Sequence, residues 1–274
     1  MAPDQTHFDA AGFTFDALVA GPDDGELVLL LHGFPQSAGM WRPQMEALAG
    51  AGYRAVAFDQ RGYSPRARPA DVDLYRIGHL VADALAIGGP EPFHVVGHDW
   101  GAVVGWHLAA RYPERIRSLT ALSVPHPLAF ATALVSPGSD QRAQSGYVAF
   151  FRMAEVAEEV LLNGGLAAAL AASAYPLDID ERVRAMSEPG ALTGALNWYR
   201  AIDLDLVGIG SVTVPTLYVW STGDVAVARE GAEATARHVD GPYRSEILQA
   251  VSHWIPEEVP DVLNRLLLEH LSAQ

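Results

Sequence analysis

The chain has 274 residues, 50% of them hydrophobic and 19% charged, and a formal net charge of −15. That length allows one large or two smaller domains around a real core, and the composition excludes a disordered chain. The acidic excess argues against nucleic acid and anionic membrane as partners, and the absence of cysteine excludes disulfides, thiolate metal sites and a cysteine nucleophile.

The first elements expected are two antiparallel strands, residues 8–9 and 13–19, around Ala10-Ala11-Gly12. Short β-type runs follow at 27–31, 55–58, 93–96 and 119–124. Between them helical periodicity marks 40–49, 77–87 and 102–112, the last stopped by Pro113. Strands alternating with helices of this length predict right-handed βαβ units and a mostly parallel sheet with helices on both faces. After Val124-Pro125-His126-Pro127 the pattern becomes helical, Ala-rich around 152–174 and 191–201, with no clear strand. The α/β rhythm resumes at 214–220, continues through a helix near 228–238 and a strand at 244–248, and ends in a helix at 259–271. The expected organisation is an α/β core of residues 1–127 and 211–274, interrupted by a helical cap of residues 128–210. The most apolar runs, 27–31 and 166–174, fall well short of the ~20 residues that span a bilayer. The N-terminus lacks the basic and apolar regions of a secretory signal, so a soluble, cytoplasmic protein is expected.

Gly97-His98-Asp99-Trp100-Gly101 lies where a strand hands over to a helix. Such a turn is so tight that its central residue is strained and side chains at both flanks would collide. It exposes one functional group at the end of the sheet where open α/β folds place their sites. The spacing is that of a nucleophile elbow with aspartate in the serine position, although a helix N-cap aspartate accounts for the segment alone equally well. Asp224 follows the strand at 214–220, and His253 follows the strand at 244–248. Taken singly they read as a turn residue and a partly buried histidine. Together, the chain order nucleophile, acid, histidine, each at a strand's C-terminal end, is that of a catalytic triad.

With these residues in view, the sequence resembles the aspartate-nucleophile branch of the α/β-hydrolases, the epoxide hydrolase and haloalkane dehalogenase group. The resemblance runs through His32-Gly33-Phe34-Pro35, Asp59-Gln60-Arg61-Gly62-Tyr63-Ser64, the Asp99 elbow, Asn197-Trp198-Tyr199-Arg200, Asp224 and His253. It implies the α/β-hydrolase fold with an inserted helical cap. It also implies an oxyanion hole from the backbone N–H groups of Phe34 and Trp100. The 59–64 stretch resembles a structural turn of the family and is assigned no catalysis.

Aspartate in place of serine changes the chemistry. A carboxylate attacking an ester carbonyl would give an anhydride, whereas displacement at sp3 carbon gives an alkyl ester on the enzyme. That ester is then hydrolysed at the aspartate's own carbonyl by water that His253 deprotonates, with Asp224 orienting the imidazole. An opening epoxide also needs a proton donor, and a tyrosine hydroxyl suits the role. Tyr199 matches the cap tyrosine of epoxide hydrolases, and Tyr147 is the expected second one; packing on a cap helix is the competing reading for either. Haloalkane dehalogenases commonly carry Asn where Phe34 stands. Fluoroacetate-type dehalogenases place arginine where Trp100 stands.

The reading is therefore an epoxide hydrolase acting on a small apolar epoxide and water. The alternatives are a haloalkane or haloacid dehalogenase on the same scaffold and a non-catalytic ligand receptor. His94, His98, His107 and His126 lack metal-ligand spacing, and Gly88-Gly89 and Gly164-Gly165 read as helix ends rather than phosphate loops. No cofactor and no metal are implied; homo-oligomerisation is left open.

Overall fold

Successive side chains on a strand point to opposite faces, so a parallel strand covered on both sides is apolar throughout. Leu27–Leu31 illustrates this: Val28 and Leu30 enter one core cluster, Leu29 and Leu31 the other. The computed structural model describes residues 2–274. Among them eight strands form one sheet: β1 (Asp4–Ala10), β2 (Phe13–Ala20), β3 (Leu27–Leu31), β4 (Arg54–Phe58), β5 (Phe93–His98), β6 (Ile116–Leu122), β7 (Thr216–Gly223) and β8 (Tyr243–Ser252). Their order is β1-β2-β4-β3-β5-β6-β7-β8. Only β1–β2 and β2–β4 are antiparallel; all later pairs are parallel. This is the α/β-hydrolase fold.

Helices α1 (Arg42–Gly50), α2 (Ile77–Gly88) and α3 (Trp100–Arg111) connect the first parallel strands. Seven more lie between β6 and β7: α4 (Pro127–Val135), α5 (Gln141–Gln144), α6 (Tyr147–Phe151), α7 (Val156–Val160), α8 (Leu166–Ala172), α9 (Ile179–Met186) and α10 (Ala191–Arg200). Then come α11 (Arg229–Ala234), α12 (Ile255–Glu258) and α13 (Pro260–Leu271). Leu263, Leu266, Leu267 and Leu271 recur at helical spacing, so α13 presents one apolar face. With Met45 and Leu48 of α1 it covers Leu18, Val28, Leu30 and Val96. Helices α2 and α3 cover the opposite face through Leu80, Val81, Val104 and Trp106. The inserted helices add Phe151, Leu166, Leu192, Leu196 and Trp198 to that same cluster. No helix is long and apolar enough to cross a membrane.

Several expected boundaries move. The strand expected at 93–96 runs to His98, and the helix expected from 102 starts at Trp100, so the turn at Asp99 is tighter than its sequence spacing suggested. The strand expected at 119–124 is Ile116–Leu122. A short helix, α12, intervenes before α13. Gly88-Gly89 ends α2 as expected, but Gly164-Gly165 does not end a helix cleanly. Gly164, at φ 102°, instead kinks a π-type turn that joins α7 to α8.

The 59–64 turn is a structural anchor. Arg61 pairs bidentately with Asp83, Nε to Oδ2 at 2.8 Å and Nη2 to Oδ1 at 2.7 Å, with both side chains 2% exposed. Its carbonyl accepts a hydrogen bond of 2.7 Å from the Trp198 indole of α10, tying the inserted helices to the core.

Candidate active site

The C-terminal ends of β5, β7 and β8 bring Asp99, Asp224 and His253 together beneath the inserted helices. Asp99 occupies the N-cap position of α3, yet its side chain makes no capping bond, which removes the simple N-cap reading. Its backbone sits at φ 54°, ψ −120°, a conformation that costs a non-glycine residue about 1–3 kcal/mol. The close approach requires the flanking glycines. A Cβ on Gly97 would overlap the Gly101 carbonyl, one on Gly101 would overlap the Leu31 carbonyl, and one on Gly33 would strike the Asp99 carboxylate.

The two carboxylate oxygens have different surroundings. Oδ1 accepts the Phe34 backbone N–H at 2.8 Å, whereas Oδ2 faces His253 Nε2 at 3.6 Å. Of the two expected oxyanion donors, Phe34 therefore already touches the carboxylate. Among the described residues no hydrogen bond links the Trp100 amide to it. The Phe34 loop is held by His32, whose Nε2 accepts the Gln60 N–H at 3.0 Å; His32 Nδ1 then carries the proton and donates to the Gly33 carbonyl at 3.0 Å.

Asp224 accepts three hydrogen bonds. Oδ1 takes the N–H groups of Ala226 and Val227 at 2.8 and 3.0 Å, and Oδ2 takes His253 Nδ1–H at 2.8 Å. That last bond directs Nε2 toward Asp99. Burial would lower the imidazole pKa, but the charge and hydrogen bond of Asp224, followed by those of Asp99, win and push it up to about 10. Burial would conversely raise the Asp99 pKa, but His253, His98 and the Phe34 amide hold it below the usual carboxylate range. The pair therefore rests as carboxylate and imidazolium at neutral pH.

Tyr199 and Tyr147 line the cavities that reach Asp99, their ring centroids 6.1 Å apart. Asn197-Trp198-Tyr199-Arg200 places Tyr199 by its flanks: Trp198 hooks to the core, and Arg200 pairs bidentately with Glu158 at 2.8 Å to each oxygen. Arg152 also caps the Tyr199 carbonyl at 3.2 Å. Tyr199 is buried, whereas Tyr147 is 37% exposed and only its hydroxyl end is enclosed. Desolvation there, and then the Asp99 charge, raises the pKa of both hydroxyls, so each is a neutral donor. Two apolar cavities meet at Asp99, Tyr147 and Tyr199. One is lined by Trp100, Val103, Phe130, Val148 and Ile202, the other by Phe34, Phe151, Leu166, Leu170 and Trp254.

Groups to which the sequence reading gave no role complete the surroundings of His253. Its carbonyl accepts Ser123 Oγ–H at 2.9 Å and lies 2.9 Å from His98 Nε2. Glu258 accepts both the N–H and the Oγ–H of Ser252, fixing the residue before the histidine. No sequence signal marked these roles: Ser123 and His98 reach the His253 carbonyl only through the sheet order, and Glu258 reaches Ser252 from the short helix that follows β8. Among the described residues no cluster of His, Asp and Glu could hold a metal ion.

A family profile described as alpha/beta hydrolase fold matches residues 26–155. The AB hydrolase superfamily protein YfhM of Bacillus subtilis (strain 168) is 37% identical over 278 residues, covering 96% of each chain. Epoxide hydrolase A of Mycobacterium tuberculosis (strain H37Rv) is 31% identical, covering 99% of this chain and 98% of the relative. The crystal structure of Epoxide Hydrolase A from Mycobacterium thermoresistibile superposes with a TM-score of 0.86 at 28% identity, covering 98% of both chains. An aspartate at the elbow, a full-length match and a shared sheet topology together place this chain in the epoxide hydrolase family of the α/β-hydrolases.

Proposed function

We propose that this chain is an epoxide hydrolase that converts a small apolar epoxide and water into a vicinal diol. The observation that carries the reading is the position of Asp99: a strained, ionised carboxylate that faces an imidazolium and opens on two apolar cavities, each lined also by two neutral tyrosines. In this reading residues 128–210 form a cap over a core of residues 1–127 and 211–274, and the cap supplies both tyrosines.

The first step is attack of Asp99 Oδ2 on an epoxide carbon. The carbon–oxygen bond of the ring breaks, and the departing oxygen takes its proton from Tyr199 or Tyr147. Aspartate has now become a neutral ester. The charge that helped hold a proton on His253 is gone, so the imidazolium releases its proton, which passes through solvent to the tyrosinate left by the ring opening and restores the tyrosine. Neutral His253 then deprotonates a water that attacks the Asp99 carbonyl carbon. Oδ1 becomes the oxyanion, already against the Phe34 N–H, with the Trp100 N–H as second donor. Collapse expels the diol oxygen, which takes the proton from His253 and leaves Asp99 as a carboxylic acid; that acid passes its proton to His253, restoring the carboxylate and imidazolium.

Single turnover in 18O-water tests this sequence. The label should enter the Asp99 carboxylate, with the first-turnover diol carrying an unlabelled enzyme oxygen, and His253→Gln should accumulate the alkyl ester in its intact mass. Label appearing directly in that first diol would mean direct attack by water and overturn the proposal. Turnover of a haloalkane or of fluoroacetate faster than of any epoxide would assign a dehalogenase instead.

A further inference from the structure

Beside the triad, a second set of buried polar groups has a proton inventory that its geometry can settle. Gln36, from the loop after β3, is fully buried; one end of its amide lies against Glu257 Oε1 and the other is 3.2 Å from His98 Nδ1. His98 is also fully buried, and its Nε2 lies 2.9 Å from the His253 carbonyl. These contacts join α12, the 33–36 loop and the end of β5 into one line that stops at the catalytic histidine's backbone.

A carbonyl only accepts, so His98 Nε2 must carry a proton. With the Gln36 oxygen facing His98, Nδ1 would need a second proton, making His98 an imidazolium in a sealed site with the His253 ring 4.8 Å away. Burial, and then His253, opposes that charge and pulls the His98 pKa down to about 4. A half-turn of the Gln36 amide, which exchanges two atoms of almost equal size, resolves the conflict. Gln36 Nε2–H then donates to His98 Nδ1, and the Gln36 oxygen faces Glu257. Two facing oxygens at hydrogen-bond distance need a proton between them. That proton belongs to Glu257.

We infer that Glu257 is a neutral carboxylic acid in the resting protein and a positioning residue for His253. It donates to Gln36, Gln36 donates to His98, and His98 donates to the His253 carbonyl. The remaining surroundings fit. Glu257 Oε2 is shut off from solvent and has no hydrogen-bond partner, a cost far larger for a carboxylate than for an acid. The charged and titratable groups facing Glu257 are Arg182 of α9, Tyr175 before that helix, and His253. Arg182 favours the ion, but no ion pair joins it to Glu257 among the described residues, and its Nη1 turns to the Pro35 carbonyl at 3.5 Å. Burial prevails and pushes the Glu257 pKa up to about 8. Above that pH the carboxylate draws the Gln36 amide back, Nδ1 of His98 takes the ring proton, and the His253 carbonyl loses a donor.

Two spectroscopic measurements test the proton inventory without any substrate. Infrared difference spectra between pH 6.5 and 9.5 should show the carbonyl band of a protonated carboxylic acid disappearing in wild type, with no such band in Glu257→Gln. At pH 7 the nitrogen resonances of His98 should report one protonated nitrogen, Nε2, and one bare nitrogen, Nδ1. Identical acid-carbonyl regions in the two proteins, or a doubly protonated His98, would overturn the inference. The positioning role rests in addition on the proposed epoxide hydrolysis. Loss of one hydrogen bond should slow ester hydrolysis about two- to tenfold above pH 8 in wild type, and Glu257→Gln, which keeps a donor toward Gln36, should lack that decline. The same alkaline decline in both would refute the positioning role and leave the proton assignment to the spectra.

Discussion

Replacing Asp99 by asparagine should turn His253 from an imidazolium into a base without any substrate. The side chains are isosteric, and the asparagine oxygen can still accept the Phe34 N–H, so the change removes charge rather than shape. At the observed 3.6 Å between Asp99 Oδ2 and His253 Nε2, an effective dielectric of about 20 gives about 4.6 kcal/mol, or roughly a few thousandfold in proton affinity. That is an upper bound, because the cavities beside Asp99 admit some solvent. The Asp224 bond survives, so His253 should titrate well below its wild-type midpoint of about 10 but not below that of a free histidine. The assay is an NMR titration of the His253 ring nitrogens from pH 5.5 to 11 in both proteins, with His32 as internal reference. Equal midpoints would refute the electrostatic account. Neutralisation of Asp99 by an alkyl group could then not be what frees the base.

Tyr199→Phe and Tyr147→Phe should each slow alkylation, and the pair together should lower it by roughly 10²-fold or more, read by rapid quench with folding checked by circular dichroism. A double variant alkylating at the wild-type rate would remove the tyrosines from the mechanism. Asp83→Ala leaves the Arg61 guanidinium buried and unpaired, so urea denaturation should register a loss of about 3–5 kcal/mol; a loss below 1 kcal/mol would show that water reaches Arg61. Stability should also fall with rising pH. The folded His253 pKa of about 10 lies above its unfolded value of 6.5, so its contribution is complete below pH 6.5 and lost as pH rises toward 10. The drop in urea midpoint between pH 7 and 10 should be smaller in His253→Gln than in wild type.

What the sequence by itself determined is local or periodic. The period-two and helical patterns located the strands and helices of the core, because burial on one or two faces dictates those periods within a few residues. The Asp99 elbow was equally legible: a turn too tight for any side chain but one writes glycine two residues to either side. Asp224 and His253 were readable as residues that follow strands. The tertiary structure decided what depends on residues distant in sequence. It alone shows that the Asp99 side chain turns from its helix toward Phe34 and His253, and that Trp198 reaches Arg61 across 137 positions. It alone joins Gln36 to Glu257 over 221 positions and to His98 over 62. Donor–acceptor closure of that kind has no period and no composition; it exists only once the strand order has carried those atoms to within 3 Å or so of each other.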